Sequence, residues 1–180
     1  MEKAIKLDKI DINILRILQE NSQLTTKELA QKVNLSATPV FERVKRLERE
    51  GIIKRYIALI DAEKVGNGFC VFCAVKLKSL NHNYVEDFIV GVKGISEVVE
   101  CYNVSGEYDY MLKIQVPDMK SYQHFILNVL GRMDSLGSLT SMFVMDEIKH
   151  EYGVSLLAIF IKKKTPNRIM CGWESFLMCV

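Results

Sequence analysis

The stretch from Thr25 to Gly51 constrains this 180-residue chain most, because it predicts two helices joined by a tight polar turn. Thr25 and Glu28 form a T-x-x-E capping box, in which each residue can satisfy a free amide at the start of the first helix. The polar turn ends at Ser36, whose hydroxyl can cap the second helix. Gly51 is predicted to end that helix, because glycine takes the left-handed conformation cheaply.

The second helix is predicted to be apolar on one side and basic on its exposed sides. Val40, Val44 and Leu47 are spaced to share one buried face. Off this face lie four cations: Arg43, Lys45, Arg46 and Arg49. Such charges often form only a solvated surface. Here they follow a capping box and a tight turn, which is the arrangement that inserts a helix into the major groove of DNA.

The charge of the whole chain does not point to nucleic acid, whereas its local clustering does. The formal net charge is only +2, with 49% hydrophobic and 26% charged residues, as in an ordinary globular protein. Between Ser36 and Tyr56, however, six cations accompany only three anions. We therefore expect double-stranded DNA as the partner of this segment rather than of the whole surface.

The sequence favours a cytoplasmic protein without a metal or cofactor. The first residues mix acids and bases without an apolar segment, unlike a signal peptide, and no apolar run reaches the ~18 residues of a membrane span. Cys70 and Cys73 are spaced C-x-x-C, but on a predicted strand they point to opposite faces, so buried thiols are favoured over a metal site. The three histidines are too scattered for a catalytic or metal-binding set.

Further elements are predicted on both sides of the helix pair. Apolar residues from Leu7 to Gln19 recur at helical spacing, which predicts a helix that packs behind the other two. The β-branched run Ile52–Ile60 predicts a strand whose cations reach phosphates as a wing. The turn-rich segment Asp61–Gly68 is the expected domain boundary.

The second half of the chain predicts a small antiparallel sheet with helices on one face. Strands and helices are expected in the order βαββαβ, over Phe69–Leu77, Tyr84–Lys93, Val98–Val104, Tyr110–Val116, Met119–Arg132 and Leu139–Lys149. Such a sheet leaves edges and one face uncovered. We therefore expect a homo-oligomer.

Four motifs in this order resemble the Lrp/AsnC family, the leucine-responsive or feast/famine transcription regulators. The motifs are LDKIDINILRIL, LSATPVFERVKRLEREGIIKRY, VSGEYDYMLKIQVPDM and FVMDEIKH, and the resemblance covers roughly Leu7 to Ser155. It implies an α+β protein with a winged helix-turn-helix domain and an ACT-like, ferredoxin-like domain. Dimers, often octamers, and an amino-acid effector bound between dimers are implied as well.

The resemblance and the element order together give expected domain limits. Residues 1–61 are expected to form the helix-turn-helix DNA-binding domain, and residues 62–68 the linker. Residues 69–155 are expected to form the ACT-like effector-binding and oligomerisation domain. Residues 156–180 have no recognised counterpart in the family and form a tail of unknown structure.

Two sets of site residues follow as hypotheses. Ser36, Ala37, Thr38, Glu42 and Arg43 are expected to face DNA bases, and phosphates are expected to meet Arg46, Lys54 and Arg55, with Arg49 also on the DNA-binding face. On the resemblance, an amino-acid effector would meet Ser105, Gly106, Tyr108, Asp109, Thr140 and Ser141. A simpler alternative is that Gly106 permits a turn and Asp109 satisfies turn amides.

The predicted function is a sequence-specific transcription regulator whose assembly and DNA affinity respond to a small amino acid. One alternative is an enzyme that resembles the sirohaem decarboxylases, which use the same two-domain scaffold; the basic second helix argues against it. Others are an effector-independent DNA-organising protein and a module that only oligomerises, for which the basic helix would be unnecessary.

Overall fold

The computed structural model describes residues 6–156, and they divide into two compact units. One unit holds the residues up to Ile57 together with those from Glu151 onward, and the other spans Ala58–His150. The predicted tail 156–180 lies outside the described residues except for Leu156. Among the described residues, no helix combines the length and the apolar character needed to cross a bilayer.

The first unit contains three helices around a small apolar core. They are α1 (Lys9–Glu20), α2 (Thr26–Lys32) and α3 (Ala37–Arg49). One side of each helix supplies the core, in which the buried residues are Ile14, Leu15, Leu29, Ala30, Val40 and Leu47. The apolar faces predicted for α1 and α3 are therefore confirmed.

Local capping defines where the helices of the first unit begin. Thr25 accepts a hydrogen bond from the Glu28 amide and Glu28 accepts one from the Thr25 amide, as the capping box predicts. Ser36 precedes α3, but its side chain makes no capping hydrogen bond, so that prediction was wrong. The reason lies at the third residue of α3, because Pro39 has no amide hydrogen to donate.

The end of α3 is a Schellman turn built on glycine. Gly51 has a φ of 70°, in the left-handed region, as predicted. The Gly51 amide donates to the Glu48 carbonyl over 3.0 Å, and the Ile52 amide donates to the Leu47 carbonyl over 2.9 Å. These bonds satisfy carbonyls at the helix end that would otherwise lack partners.

The predicted strand over Ile52–Ile60 is not formed in the described chain. These residues pair with no other strand, and several apolar side chains among them are exposed, including Ile57, Leu59 and Ile60. A strand needs a neighbouring backbone for its hydrogen bonds. The residue types of Ile52–Ile60 predicted a strand, but the sequence pattern could not show whether a second strand lies beside it.

The second unit is a four-stranded antiparallel sheet with the predicted βαββαβ order. The strands and helices are β1 (Phe69–Leu77), α4 (His82–Lys93), β2 (Val98–Asn103), β3 (Tyr110–Val116), α5 (Met119–Asn128) and β4 (Leu136–Phe143). The strand order across the sheet is β2-β3-β1-β4. A short 3₁₀ turn, Leu130–Arg132, ends the region predicted as a single helix to Arg132.

The last strand was predicted too far along the chain. It was expected over Leu139–Lys149, but β4 begins at Leu136 and ends at Phe143. The β1–β4 register ends where Val71 pairs with Phe143, near the start of β1. Beyond Phe143 the chain has almost no strand left to pair with, so its β-branched residues remain outside the sheet.

The sheet has one covered face and one open face. Alternate residues of β1 and β3 pack with Phe88 of α4 and Phe125 of α5 in the main core. On the opposite face, defined by the register of the strands, lie Phe72, Tyr102 and Met142, all partly exposed. We call this second surface the open face.

The described chain beyond Glu151 packs with the helices of the first unit. The Gln19 side chain makes two hydrogen bonds with the backbone of Val154. Gln19 Oε1 accepts from the Val154 amide over 2.7 Å, and Gln19 Nε2 donates to the Val154 carbonyl over 3.4 Å. Leu156 packs against the helical core. Residues 151–155, which sequence analysis assigned to the sheet domain, thus group with the helices.

Replacing Gly51 by Ala should destabilise the protein by about 1–2 kcal/mol, the cost of a left-handed conformation for a residue with a Cβ. A Cβ at Gly51 would meet no atom within 4 Å, so the loss would be conformational and not steric. Urea unfolding followed by circular dichroism measures it. The control is Gly94→Ala, because Gly94 ends α4 in the right-handed region and should lose nothing. Equal effects at both sites would contradict the explanation.

Candidate nucleic-acid interface and ligand site

The outward face of α3 is polar and carries the first candidate site. Ser36, Ala37 and Thr38 are exposed at the start of α3, and Glu42 is exposed on the side away from the buried Val40 and Leu47. Arg49 lies on the same outward side, two turns after Glu42. The structure therefore leaves all five predicted DNA-binding residues accessible, at the start of α3 or on its outward side.

Two other predicted DNA-binding residues are engaged inside the first unit. Asp11 of α1 is 1% exposed and receives both guanidinium groups, Arg43 Nη1 at 2.7 Å and Arg46 Nη2 at 2.6 Å. Arg43 Nη1 also lies 2.7 Å from Asp8, the capping residue of α1. We call these four residues the α1–α3 ion-pair network.

The network favours the charged forms of Asp8 and Arg43. Burial acts to raise the pKa of Asp8, but hydrogen bonds from the Asp11 amide and Arg43 outweigh it, so the pKa falls below its usual value. Hydrogen bonds to Asp8 and Asp11 raise the pKa of Arg43. One polar atom, Arg46 Nε, is buried without a partner among the described residues. The network therefore holds α3 against α1 at the cost of one unsatisfied donor.

Sequence reasoning missed the network because it judged α1 and α3 separately. On α3 alone, Arg43 and Arg46 resemble other cations beside a buried stripe. The available signal was in α1, where Asp11 falls between apolar residues on the helix side that packs inward. A carboxylate there requires a cationic partner, because an unpaired buried charge is costly.

The two remaining predicted cations follow α3 in an exposed segment. Lys54 and Arg55 are both exposed. Next to them, the Tyr56 hydroxyl donates to Glu48 Oε1 over 3.0 Å, which ties the segment to α3. Burial, together with the Glu48 carboxylate, raises the pKa of Tyr56 to about 12, so the hydroxyl keeps the proton that it donates. Lys54 and Arg55 are thus held beside α3.

Asp109, the charged residue of the predicted effector set, has a structural role in the sheet. Its Oδ2 accepts a hydrogen bond from the Leu77 amide over 2.8 Å. The β1–β3 register ends where Val75 pairs with Tyr110, and the Asp109 amide donates to the Val75 carbonyl over 2.9 Å. The Leu77 amide lies beyond this last strand pair, where the carboxylate can accept from it. The simpler explanation of Asp109, that it satisfies a backbone amide, therefore has direct support, although the amide belongs to β1 and not to its own turn.

The other predicted effector residues divide between two faces of the sheet. Tyr108 and Thr140 place their hydroxyl oxygens 3.2 Å apart, on an exposed surface. Ser141 instead bonds the Tyr122 hydroxyl on the helix side. Neighbouring residues of a strand alternate between faces, so of these two predicted residues only Thr140 lies on the same face as Tyr108. Ser105 and Gly106 lie in an exposed turn, where Gly106 has a φ of 119°.

Sequence reasoning also missed the residues of the open face near this turn. Phe72 of β1 lies opposite Met142 of β4, and their side chains are 37% and 43% exposed. Lys113 is nearly buried on the same face, with Nζ 3.8 Å from the Glu100 carboxylate. Side chains along β1 point alternately to the two faces of the sheet, and this alternation could have indicated that Phe72 lies on the face opposite the core. Pairing with β4 could not be read from β1 alone.

The cysteines and histidines of the described part of the chain form no metal site. Among residues 6–156, no three His, Cys, Asp or Glu side chains come together as metal ligands. Cys70 and Cys73 are free thiols, and burial raises the pKa of both. Each is therefore poorly suited to be a thiolate ligand or nucleophile.

Comparisons with known proteins match both units of the chain. Residues 70–154 match the family model described as the Lrp/AsnC ligand binding domain, and residues 7–54 match the winged helix-turn-helix DNA-binding model. The DNA-binding transcriptional activator DecR of Escherichia coli is 38% identical over 144 residues, covering 80% of this chain and 95% of DecR. The leucine-responsive regulatory protein of the same species is 38% identical over 143 residues, covering 79% of this chain and 87% of that protein.

Solved structures with the same fold are similarly related. A Neisseria meningitidis transcriptional regulator in complex with L-Met has a TM-score of 0.83 and 38% identity, covering 86% of this chain and 99% of that one. An AsnC family regulator from Agrobacterium tumefaciens has a TM-score of 0.80 and 37% identity, covering 83% and 97%. The resemblance and the fold class predicted from sequence are confirmed.

Replacing Asp11 by Asn should lower the free energy of unfolding by about 2 kcal/mol. Breaking a buried ion pair typically costs 3–5 kcal/mol, and this value is reduced here because Arg43 and Arg46 are 26% and 34% exposed and stay partly hydrated. Urea unfolding measures the change. Asp134→Asn, at an exposed aspartate, is the control. If both variants unfold at the same urea concentration, the network does not stabilise the first unit.

Proposed function

This chain belongs to the Lrp/AsnC family and is a DNA-binding transcription regulator, and from this premise we propose how its two units act. We propose that α3 enters the major groove of duplex DNA and that an amino acid bound beside the open face changes the assembly of the protein. The observation that carries the first part is the exposed polar face of α3, held at a defined angle by the α1–α3 ion-pair network.

The division of DNA contacts follows from which α3 residues are accessible. Ser36, Ala37, Thr38 and Glu42 are placed to meet base edges. Arg49, Lys54 and Arg55 are exposed cations and are assigned to phosphates. Arg43 and Arg46, which sequence reasoning assigned to DNA, are instead proposed to position α3 through Asp11.

Self-association is proposed because two apolar surfaces lack a partner in the described chain. One is the open face with Phe72 and Met142, and the other is the extended segment that includes Leu59 and Ile60. A second copy that covers them would create a homodimer, and dimers would join into an octamer or other higher assembly. A dimer would present two α3 helices to major grooves about one turn of DNA, or ~34 Å, apart on a pseudo-palindrome.

The proposed effector site is the surface around Tyr108 and Thr140. Their hydroxyl groups and the exposed turn at Ser105 and Gly106 can bind the carboxylate of a small amino acid, while Asp109 faces its ammonium group. The solved relative with L-Met shows that a regulator of this fold takes an amino acid. Ser141 is left out of the proposed site because it bonds Tyr122 on the other face.

An effector bound between copies would act through assembly. Its influence on DNA affinity cannot exceed the difference in its affinity for the two assembly states. This regulation would take place in the cytoplasm, where a bacterial or archaeal chromosome lies. The enzyme alternative is set aside because the relatives are named as transcription regulators. An effector-independent DNA-organising protein is the remaining alternative, and it predicts one assembly state at every amino-acid concentration.

Removing a phosphate contact should flatten the salt dependence of DNA binding. Lys54→Ala and Arg55→Ala are each expected to weaken binding to all sequences and to reduce the slope of log affinity against log salt by about 0.9. Fluorescence anisotropy with duplex DNA at several salt concentrations measures the slope. Lys120→Ala, at an exposed lysine of α5 in the second unit, is the control. An unchanged slope for either variant would remove that residue from the phosphate contacts.

Two substitutions at Asp109 should separate its structural role from effector binding. Asp109→Asn keeps an oxygen that can accept the Leu77 amide but removes the charge, so the fold should persist while the response to an amino acid is lost. Asp109→Ala also leaves the Leu77 amide unsatisfied and should cost a further 1–3 kcal/mol or so of stability. Light-scattering mass and DNA affinity, with and without each amino acid including methionine, measure the response.

The wild-type chain decides whether the effector proposal stands at all. A mass that shifts with one amino acid, together with altered DNA affinity, supports it. A constant mass with firm DNA binding would favour the DNA-organising alternative. If the wild type responds and Asp109→Asn responds equally, Asp109 has only its structural role.

A further inference from the structure

Phe41 is an exposed aromatic residue on a helix whose other outward residues are mostly polar. Phe41 lies in the second turn of α3 and is 46% exposed. Lys45 Nζ lies 5.8 Å from the centre of its ring. This cation–π contact leaves much of the ring in water, where an apolar surface of this size is unfavourable.

The α1–α3 ion-pair network determines which way Phe41 points. Arg43 and Arg46 face α1 through Asp11, so the opposite side of α3 faces away from the helical core. Phe41 follows Thr38 by three residues and precedes Lys45 by four, which places the three side chains in one row. This row adjoins the polar face proposed to meet DNA.

We propose that Phe41 is a specificity-determining residue that recognises thymine in the major groove through its 5-methyl group. The inference rests on the proposed DNA-binding function of α3. Among the groups that base edges expose in the major groove, the thymine 5-methyl is the apolar one. Apolar side chains recognise it by direct contact. A phenyl ring can offer no hydrogen bond to the other base edges.

The charges around Phe41 favour duplex DNA as the occupant of this surface. Lys45 lies beside the ring and Arg49 follows one turn later, both exposed. These cations suit the phosphates that border a groove. A second copy of this chain is the competing occupant, and in that case Phe41 would belong to a protein interface.

The experiment combines a base change with a side-chain change in the full chain. The wild type first selects its preferred duplex from a random DNA library. Each thymine of one half-site is then replaced by uracil, which removes only the 5-methyl group. For the wild type, one such replacement should weaken binding about fourfold, the factor for burying one methyl-sized group. Phe41→Ala should bind the thymine duplex several-fold more weakly and no longer distinguish thymine from uracil there.

Phe41→Leu and Leu127→Ala are the matched controls. Leucine keeps an apolar surface at position 41 and should retain part of the discrimination. Leu127 is an exposed apolar residue of α5, and its replacement should change nothing. Circular dichroism verifies that each variant folds, as expected for an exposed site.

Three results would overturn the inference. The first is that the wild type binds equally well after uracil replaces any thymine. The second is that Phe41→Ala still distinguishes thymine from uracil at the same position. The third is that the light-scattering mass of Phe41→Ala falls, which would show that Phe41 joins two copies. The proposed function fails separately, if the wild type selects no duplex from the library.

Discussion

The buried Asp11 carboxylate, held between two arginines of the recognition helix, is the interaction on which the DNA-binding unit depends. Removing a carboxylate from water is costly, and Arg43 and Arg46 offset that cost only in the observed geometry. The pairing therefore limits the rotation of α3 relative to α1. It engages Arg43 and Arg46, which the sequence assigned to a base edge and to a phosphate, and it leaves the side with Phe41 and Glu42 outward.

The second unit depends on a different constraint, a sheet covered on only one face. Helices α4 and α5 bury one side, so the other side leaves Phe72 and Met142 partly in water. An apolar surface of this kind favours association with a second copy. The Asp109 carboxylate accepts from the Leu77 amide beyond the last pair of β1 with β3, and so it connects the turn near Gly106 to β1. The proposed effector role of Asp109 therefore falls on a residue that already has a structural role.

Features that depend on neighbours along the chain were predictable from sequence. The Thr25 capping box and the left-handed Gly51 are both observed, because a few consecutive residues determine each of them. Predictions from neighbouring residues failed where a structure needed a hydrogen-bond partner that the chain does not provide at that point. Ser36 does not cap α3 with its side chain because Pro39 lacks an amide hydrogen, a signal that was present in the sequence and overlooked. The run from Ile52 formed no strand because a strand requires a second backbone.

By itself the sequence determined the order of the two units, the family and every element type except the strand expected from Ile52, since periodicity, caps and motifs are local properties. Only the tertiary structure decided which charges remain available for a partner. Asp11 and Arg43 are 32 residues apart and meet only when α1 packs on α3. Thr140 and Ser141 alternate between faces because they are neighbours on a strand, but the pairing of β4 with β1 decided which face each of them takes. A side chain's role follows from the surface it faces, and packing between distant segments sets that surface.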